Sequence, residues 1–288
     1  MLVDFDENGV IERQNGYCPV CGHHTIFRSY APLDFPCKRN DFVCRDCGSI
    51  GRNRHVALAI LDEFKSRNFK SLNEFSQTFD GSIYITCVKE AVYRSLKGGR
   101  NVTSSEFIDG VPSGDIHNGI LCQDLQQTTF PDDCFDLIVT EDVLEHVPDP
   151  KRAFAEIHRI LKPGGMHIAT IPVNWGREVT VPRARLVNGE VEHLMEPEYH
   201  GDPFRAEGVL AFTDYGQDIV SAYCAIIGRS KMLSAHGDKI YEQAFAIYNN
   251  WVFVSQKDKL SLKDDRRGTN GMIKRAFSKF IKLLVLAN

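Results

Sequence analysis

Long apolar runs are missing from this sequence: none approaches the ~20 residues a membrane-spanning helix needs. A surplus of positive charge is missing too. Lys and Arg number 34 against 38 Asp and Glu, a net charge of −4, so no global field gathers nucleic acid, although a local basic patch stays open. The stretch MLVDFDENGVIERQNG has no basic region followed by an apolar core, so no signal peptide is expected. No internal repeat is found. The nine cysteines are an odd number for a disulfide framework, and four of them fall in two close pairs. Reduced thiols, a bound metal and a cytoplasmic location are the expectation. What is present is ordinary globular composition, 43% apolar and 25% charged, in 288 residues. That length suits one large domain, or a medium domain with attachments.

The chain divides by pattern. Residues 1–51 hold a Cys-, Gly-, Pro- and Arg-rich module behind a loose lead-in. Residues 52–79 connect it onward, and 52–75 read as a helix with Val56, Ala59, Ile60 and Phe64 on one face. Short apolar strands then alternate with helical stretches: SIYITC, NVTSSEF, GILCQD, FDLIVT and MHIATIP. Strands separated by helices imply parallel crossovers in an α/β sheet covered on both faces. Residues 174–215 form a Pro-, Gly- and His-rich insertion. Asp218 to Ile227 reads as a helix stopped by Gly228, and 245–256 as a last strand or hairpin turning at Asn249–Asn250. Residues 256–288 are a polar linker and a basic amphipathic helix, MIKRAFSKFIKLLVLAN.

FDLIVTEDVLEHVPDPKRAFAEIHRILKPGG is the most informative stretch. The strand runs out at Thr140, and Glu141, Asp142, Glu145 and His146 follow. In open α/β sheets ligands bind beyond the carboxyl ends of the strands, so these groups lie on the functional edge. Asp149 is the expected N-cap, with Pro150 at the first helical position. Phe154, Ile157 and Leu161 face the sheet, and Pro163, Gly164 and Gly165 stop the helix.

The segment DLQQTTFPDDCFDLIVTEDVLEHVPDPKRAFAEIHRILKPGG resembles the second half of class I S-adenosylmethionine-dependent methyltransferases. In that family an Asp-Leu pair precedes an F-P-D-x-x-F-D strand, then L-E-H-V and a helix ending L-K-P-G-G. The resemblance covers about forty consecutive residues, and more loosely 80–255. It implies a seven-stranded Rossmann-like sheet and S-adenosylmethionine as cofactor. Glu106, ending NVTSSEF, would accept hydrogen bonds from both ribose hydroxyls, and Asp124 and Leu125 would hold the adenine. Thr140 and Glu141, at the same edge, would also contact the cofactor. The family's glycine-rich loop is absent: VKEAVYRSLKGG follows SIYITC, and Gly98 and Gly99 come too late. Either the backbone of Cys87 and Val88 and the helix start near Glu90 take over, or cofactor binding is lost. A branch of the family with an N-terminal cysteine module also lacks this loop, and this chain resembles that branch.

YCPVCG and VCRDCG place Cys18, Cys21, Cys44 and Cys47 in two C-x-x-C pairs, a four-thiolate zinc site with structural rather than catalytic character. Cys37, His23 and His24 are possible substitute ligands. Arg52 and Arg54 either contact a phosphate or acidic substrate or are solvated. Cys87, Cys122, Cys134 and Cys224 read as small core residues.

The insertion carries His193, Glu196, Glu198, Tyr199, His200, Asp202 and Asp214. P-E-Y-H-G-D-P resembles a segment of that same branch, some members of which are encoded among glycan-assembly genes. An alcohol acceptor benefits from a base near neutral pKa, so the candidates are His200, then His193 and His146. A divalent metal on His193, Glu198 and Asp202 is a further option. The tail, 272–288, would lie peripherally on an anionic membrane or dock on protein. The expected function is methyl transfer to a small-molecule or glycan hydroxyl. One alternative is an RNA methyltransferase holding nucleic acid on the ribbon; ten Lys/Arg against nine Asp/Glu in residues 1–70 count against it. Another is a non-catalytic binding protein on a degenerate scaffold.

Overall fold

The computed structural model describes residues 9–10, 12–30, 38–65, 68–202 and 204–259. Cys37, most of the 256–288 linker and the whole basic helix lie outside them. The chain begins with a three-stranded antiparallel ribbon, β1 (Glu12–Tyr17), β2 (His24–Ser29) and β3 (Val43–Cys44). Two helices follow where one was expected: α1 (Gly51–Glu63) and α2 (Leu72–Thr78), the second capped by the Ser71 hydroxyl accepting from the Glu74 amide. An aromatic cluster explains the break. The Phe64 ring lies 5.4 Å from Phe75 and 5.0 Å from Phe79. A continuous helix would hold Phe64 and Phe75 about 16 Å apart along its axis.

The main domain runs β4 (Ile83–Thr86), α3 (Ala91–Leu96), β5 (Val102–Ser105), the short pair β6 (Ile116–His117) and β7 (Ile120–Leu121), β8 (Phe135–Glu141), α4 (Pro150–Ile160) and β9 (Leu161–Thr170). The insertion folds into three small antiparallel ribbons from β10 (Val181–Pro182), β11 (Ala184–Val187), β12 (Glu190–His193), β13 (Tyr199–His200), β14 (Val209–Leu210) and β15 (Thr213–Asp214). They pair as β10 with β15, β11 with β12, and β13 with β14. A helix with π-type turns over Ile219–Cys224 continues as α5 (Ala225–Ile227) and ends at Gly228. Then come β16 (Arg229–Ser234), α6 (Lys239–Phe245) and β17 (Trp251–Gln256). The last strand pairs with β16, across α6, rather than through a hairpin at Asn249–Asn250.

The central sheet has the order β5-β4-β8-β9-β17-β16. Its first four strands are parallel, and β17 runs antiparallel to β9. Among the described residues this is the expected α/β architecture, with six strands in the central sheet where seven were expected. There the segment beyond β5 meets it through the parallel bridge Glu106–Cys122. Alternation sorts the strands onto two faces. Ile83, Ile85, Leu137 and Val139 pack with α1, α2, α3 and the ribbon residues Cys18, Val20, Phe27 and Cys44 in one core. Tyr84, Ile138 and Phe253 pack with Phe154, Ile157 and Ile219 on the other side. The ribbon therefore shares the core of the sheet.

Helix α4 starts as expected: the Asp149 carboxylate accepts from the Arg152 amide at 3.2 Å, with Pro150 next. It stops without a loop. Strand β9 begins at Leu161, so KPGG lies inside the strand rather than before it. A side chain at Gly165 would come within 2.9 Å of the Phe135 carbonyl, which explains the glycine where the two strands close up.

Candidate functional site

The ribbon explains the four cysteines first. Cys18 and Cys44 accept at their carbonyls from the amides of Gly22 and Gly48, at 2.8 and 2.9 Å, so the two turns are copies of each other. Both glycines have φ near +80°, a conformation the tight turn requires. The four sulfurs lie within 4.8 Å of one another, and Cys18 and Cys47 are 3.7 Å apart. Zinc bonds of about 2.3 Å in a tetrahedron separate sulfurs by about 3.8 Å, so the donors fit that ion. His23 instead pairs with Asp46 at 3.6 Å, and His24 is exposed in β2.

Directly after the second turn, α1 sends charged residues inward. Arg54 is fully buried and stacks over the Phe27 ring at 4.2 Å. It donates to the carbonyls of Ser49, Phe245 and Ala246 at 2.6, 2.6 and 2.8 Å. Arg52 donates to Glu90 at 2.8 Å and to Asp142, which also receives both Nη groups of Arg39 at 2.7 and 2.8 Å. Asn53 bridges Glu90 and Glu141 at 2.9 and 2.7 Å. Neither arginine is solvated, which settles that alternative. Burial alone would raise the Asp142 pKa, but Arg52 and Arg39 outweigh it and hold the carboxyl far below the usual range. Burial, with Glu90 nearby, pushes Glu141 well above it. The module thus plants two guanidinium groups at the ends of β4 and β8, where the glycine-rich loop was expected.

Of the cofactor candidates, Cys87, Val88, Glu90, Glu106 and Glu141 meet at that same edge. Cys87 closes β4 with φ +66°, and Asp142 closes β8 with φ +50°. Cys87 therefore adopts the left-handed turn a glycine would normally serve. The Val88 amide donates to Glu106 Oε1 at 2.6 Å, tying the end of β4 to the end of β5. Burial raises Glu106 to a pKa of about 7 despite that amide. The Glu90 amide donates to the Cys87 carbonyl, and its carboxylate faces Arg52 and Asn53. Asp124 folds over its own turn, accepting from the Gln126 amide at 2.8 Å, and Leu125 is buried beside it. Thr140 points away from the edge, its hydroxyl 2.9 Å from His167 Nε2 in the core. Glu141 Oε1 is buried with no hydrogen-bond partner, as a side chain facing a ligand site would be.

The insertion is pinned over these strand ends. Lys89, after β4, sits 4.0 Å over the Phe204 ring. Arg205 donates to Asp109 and to the Phe107 carbonyl, after β5, at 2.8 and 3.1 Å. After β8, the Phe212 amide donates to the Glu145 carbonyl at 2.8 Å, and Tyr215 donates to the Leu144 carbonyl at 3.1 Å. His146 and His200 come together, their rings 4.9 Å apart, on either side of the buried Glu145. The Glu145 carboxylate, followed by burial and Glu198, sets the His200 balance, and the net shift is upward. His193 lies exposed at the end of β12, outside this group. Glu198 turns to His200 at 3.2 Å, and Asp202 caps the Phe204 and Arg205 amides. His193, Glu198 and Asp202 therefore do not converge as a metal site. Asp142 and Glu145 belong to the quartet at the strand end, yet their sequence context gave neither a partner; Arg39 and Asn53 carried no sequence signal.

Residues 102–169 match a family model described as a methyltransferase domain. A curated relative, sterol 24-C-methyltransferase of Gibberella zeae, is 30% identical over 138 residues, covering 46% of this chain and 31% of the relative. The chain thus spans about a third of that relative's length. Among solved structures, an S-adenosylmethionine-dependent methyltransferase from Mesorhizobium loti is 16% identical with TM-score 0.37, covering 62% of this chain and 91% of that one. One from Methanosarcina mazei is 15% identical with TM-score 0.36, covering 64% and 96%. Residues 102–169 thus match a methyltransferase domain, and a four-cysteine ribbon precedes them in the chain.

Proposed function

We propose that this protein is an S-adenosylmethionine-dependent methyltransferase acting on a hydroxyl of a small molecule or glycan, with zinc holding the cysteine ribbon. The observation that carries the reading is the tie between the Val88 amide and the Glu106 carboxylate at 2.6 Å, beside the unpartnered Glu141 Oε1. Three adjacent parallel strands end there with groups suited to one ligand. Glu106 would accept from the ribose hydroxyls, Asp124 and Leu125 would bracket the adenine, and the turn after Cys87, with Arg52, would hold the methionine part. The cofactor, once bound, supplies a methyl on a sulfonium, which the acceptor oxygen takes while the S–CH3 electron pair returns to sulfur.

The protein's own task is then to align the acceptor within about 3–3.5 Å and exclude water. The pinned insertion supplies the cover. The exposed Tyr199 ring offers a flat apolar face of the kind that sugar rings pack on. The Glu145–His146–His200 group is where the acceptor oxygen is activated. Incubation with methyl-labelled S-adenosylmethionine and a panel of glycans and small alcohols tests the reading. The expected result is a labelled O-methyl ether from at least one hydroxyl acceptor. Label found only in RNA would replace this reading with the nucleic-acid one.

A further inference from the structure

Glu145, His146 and His200 have a feature that the methyl-transfer reading does not need. Glu145 is 2% exposed, and neither of its carboxylate oxygens has a hydrogen-bond partner. A buried carboxylate left this way is costly, much as a buried pair that has lost one partner. Two imidazoles face it: His146 Nε2 at 3.6 Å and His200 Nδ1 at 3.7 Å from the same Oε1. The far side of each ring determines which nitrogen carries the proton. His146 Nδ1 meets the Leu210 carbonyl at 2.9 Å, and a carbonyl can only accept, so Nδ1 carries the hydrogen. His200 Nε2 meets the Glu198 carboxylate at 3.2 Å and donates for the same reason. In the neutral rings, the nitrogens left facing Glu145 are then both bare lone pairs. One carboxylate and two lone pairs then converge, and the positive charge they call for comes either from a proton on a ring, toward which Glu145 shifts His200, or from a bound cation.

That is the arrangement of a metal centre, down to its outer partners. Ligating histidines almost always donate their second N–H to a carbonyl or carboxylate, as both do here. A tetrahedral zinc-class ion with bonds of about 2.0–2.1 Å keeps its ligands about 3.3–3.4 Å apart. The observed separations exceed this by a few tenths of an ångström, and all three donor atoms lie within 4.8 Å. We propose that Glu145, His146 and His200 bind one divalent cation of the zinc class, separate from the four-cysteine ion. Three protein ligands leave a coordination position open, as in catalytic rather than structural sites. The open position would take the acceptor's oxygen, lower its pKa and let its proton pass to solvent beside the exposed Glu198. Binding of the ion stands on the geometry alone; only this catalytic role rests on the methyl-transfer reading.

The test is calorimetric titration of ZnCl2 into full-length protein already loaded with one zinc on the cysteines, in the absence of any nucleotide. Wild type is expected to take one further equivalent. His200→Ala and Glu145→Gln are expected to weaken it at least tenfold, while His193→Ala binds as wild type. His200 is a half-exposed surface residue, so its variant reports even where Glu145→Gln fails to fold. Cobalt in this second site is expected to give d–d bands without a thiolate charge-transfer band. No further equivalent, or one that survives His200→Ala, overturns the proposal. S-adenosylmethionine titrated into the same samples separates the two readings: cofactor binding without the second ion removes this site alone, and the ion without cofactor removes the methyl-transfer reading alone.

Discussion

Glu106 carries a charge that burial penalises, the cost a binding carboxylate would impose on the empty fold. Its carboxyl titrates near 7 in the folded protein, raised by burial, against the ordinary carboxylate value when unfolded. The folded state therefore holds the proton more tightly, and stability falls as pH rises from about 4.5 through 7. Glu106→Gln is expected to raise the ligand-free melting temperature at pH 8 and leave it nearly unchanged at pH 5, checked by scanning calorimetry. The same variant should bind S-adenosylmethionine at least tenfold more weakly. In wild type that affinity should strengthen from pH 6 to pH 8 as the carboxylate ionises. Arg52 makes a different prediction. Arg52→Met leaves Glu90 without its guanidinium, although Asp142 keeps Arg39. About 3 kcal/mol of stability should be lost, read by urea unfolding. None of this was legible from residues 52–54 themselves: a buried arginine is recognisable only through partners, and those of Arg52 and Arg54 lie at Glu90, Asp142 and Ala246. Cys87 was legible only as a missing glycine. The left-handed turn is there, made by a residue that does not advertise it.

The start of α4 was read correctly from a local signal, whereas the local stop at KPGG and the turn at Asn249–Asn250 were overridden by strand pairing. The cap of α4 is local, Asp149 then Pro150, and it stands where expected. The break between α1 and α2 depends on three phenylalanines folding back on one another, which helical spacing of Val56, Ala59 and Ile60 cannot reveal. The insertion looked like irregular loop because its strands are two to four residues long, too short for alternation to show. Cys18 and Cys44 are buried in the same core as Ile85 and Val139, and Arg39 and Arg52 reach the cofactor edge from the ribbon's side. Cys44→Ser, or removal of zinc by chelation, should therefore unfold more than the ribbon. A single cooperative transition at lower temperature is expected, with cofactor affinity lost alongside it. An independent ribbon transition, with the sheet's own melting unchanged, would show that the two do not share stability.

Across the whole molecule, one face and one edge of the sheet carry separate tasks. One face is closed by α1, α2, α3 and the ribbon, which deliver cations to the strand ends. The carboxyl edge carries Glu106 and Glu141, and the insertion is fastened over it through Phe204, Arg205 and Tyr215. The parallel core and its functional edge were legible because forty residues of motif place them. The cover's three anchor points were not, since each joins residues at least 70 apart in sequence. Among the described residues no helix is long and apolar enough to cross a membrane. The most direct test of the account is calorimetric titration of zinc-loaded protein with S-adenosylmethionine and S-adenosylhomocysteine. Micromolar binding of both is expected, weakened at least tenfold by Glu106→Ala. A folded, zinc-loaded sample that binds neither up to millimolar concentration would contradict it, and the scaffold without cofactor would then be the better description.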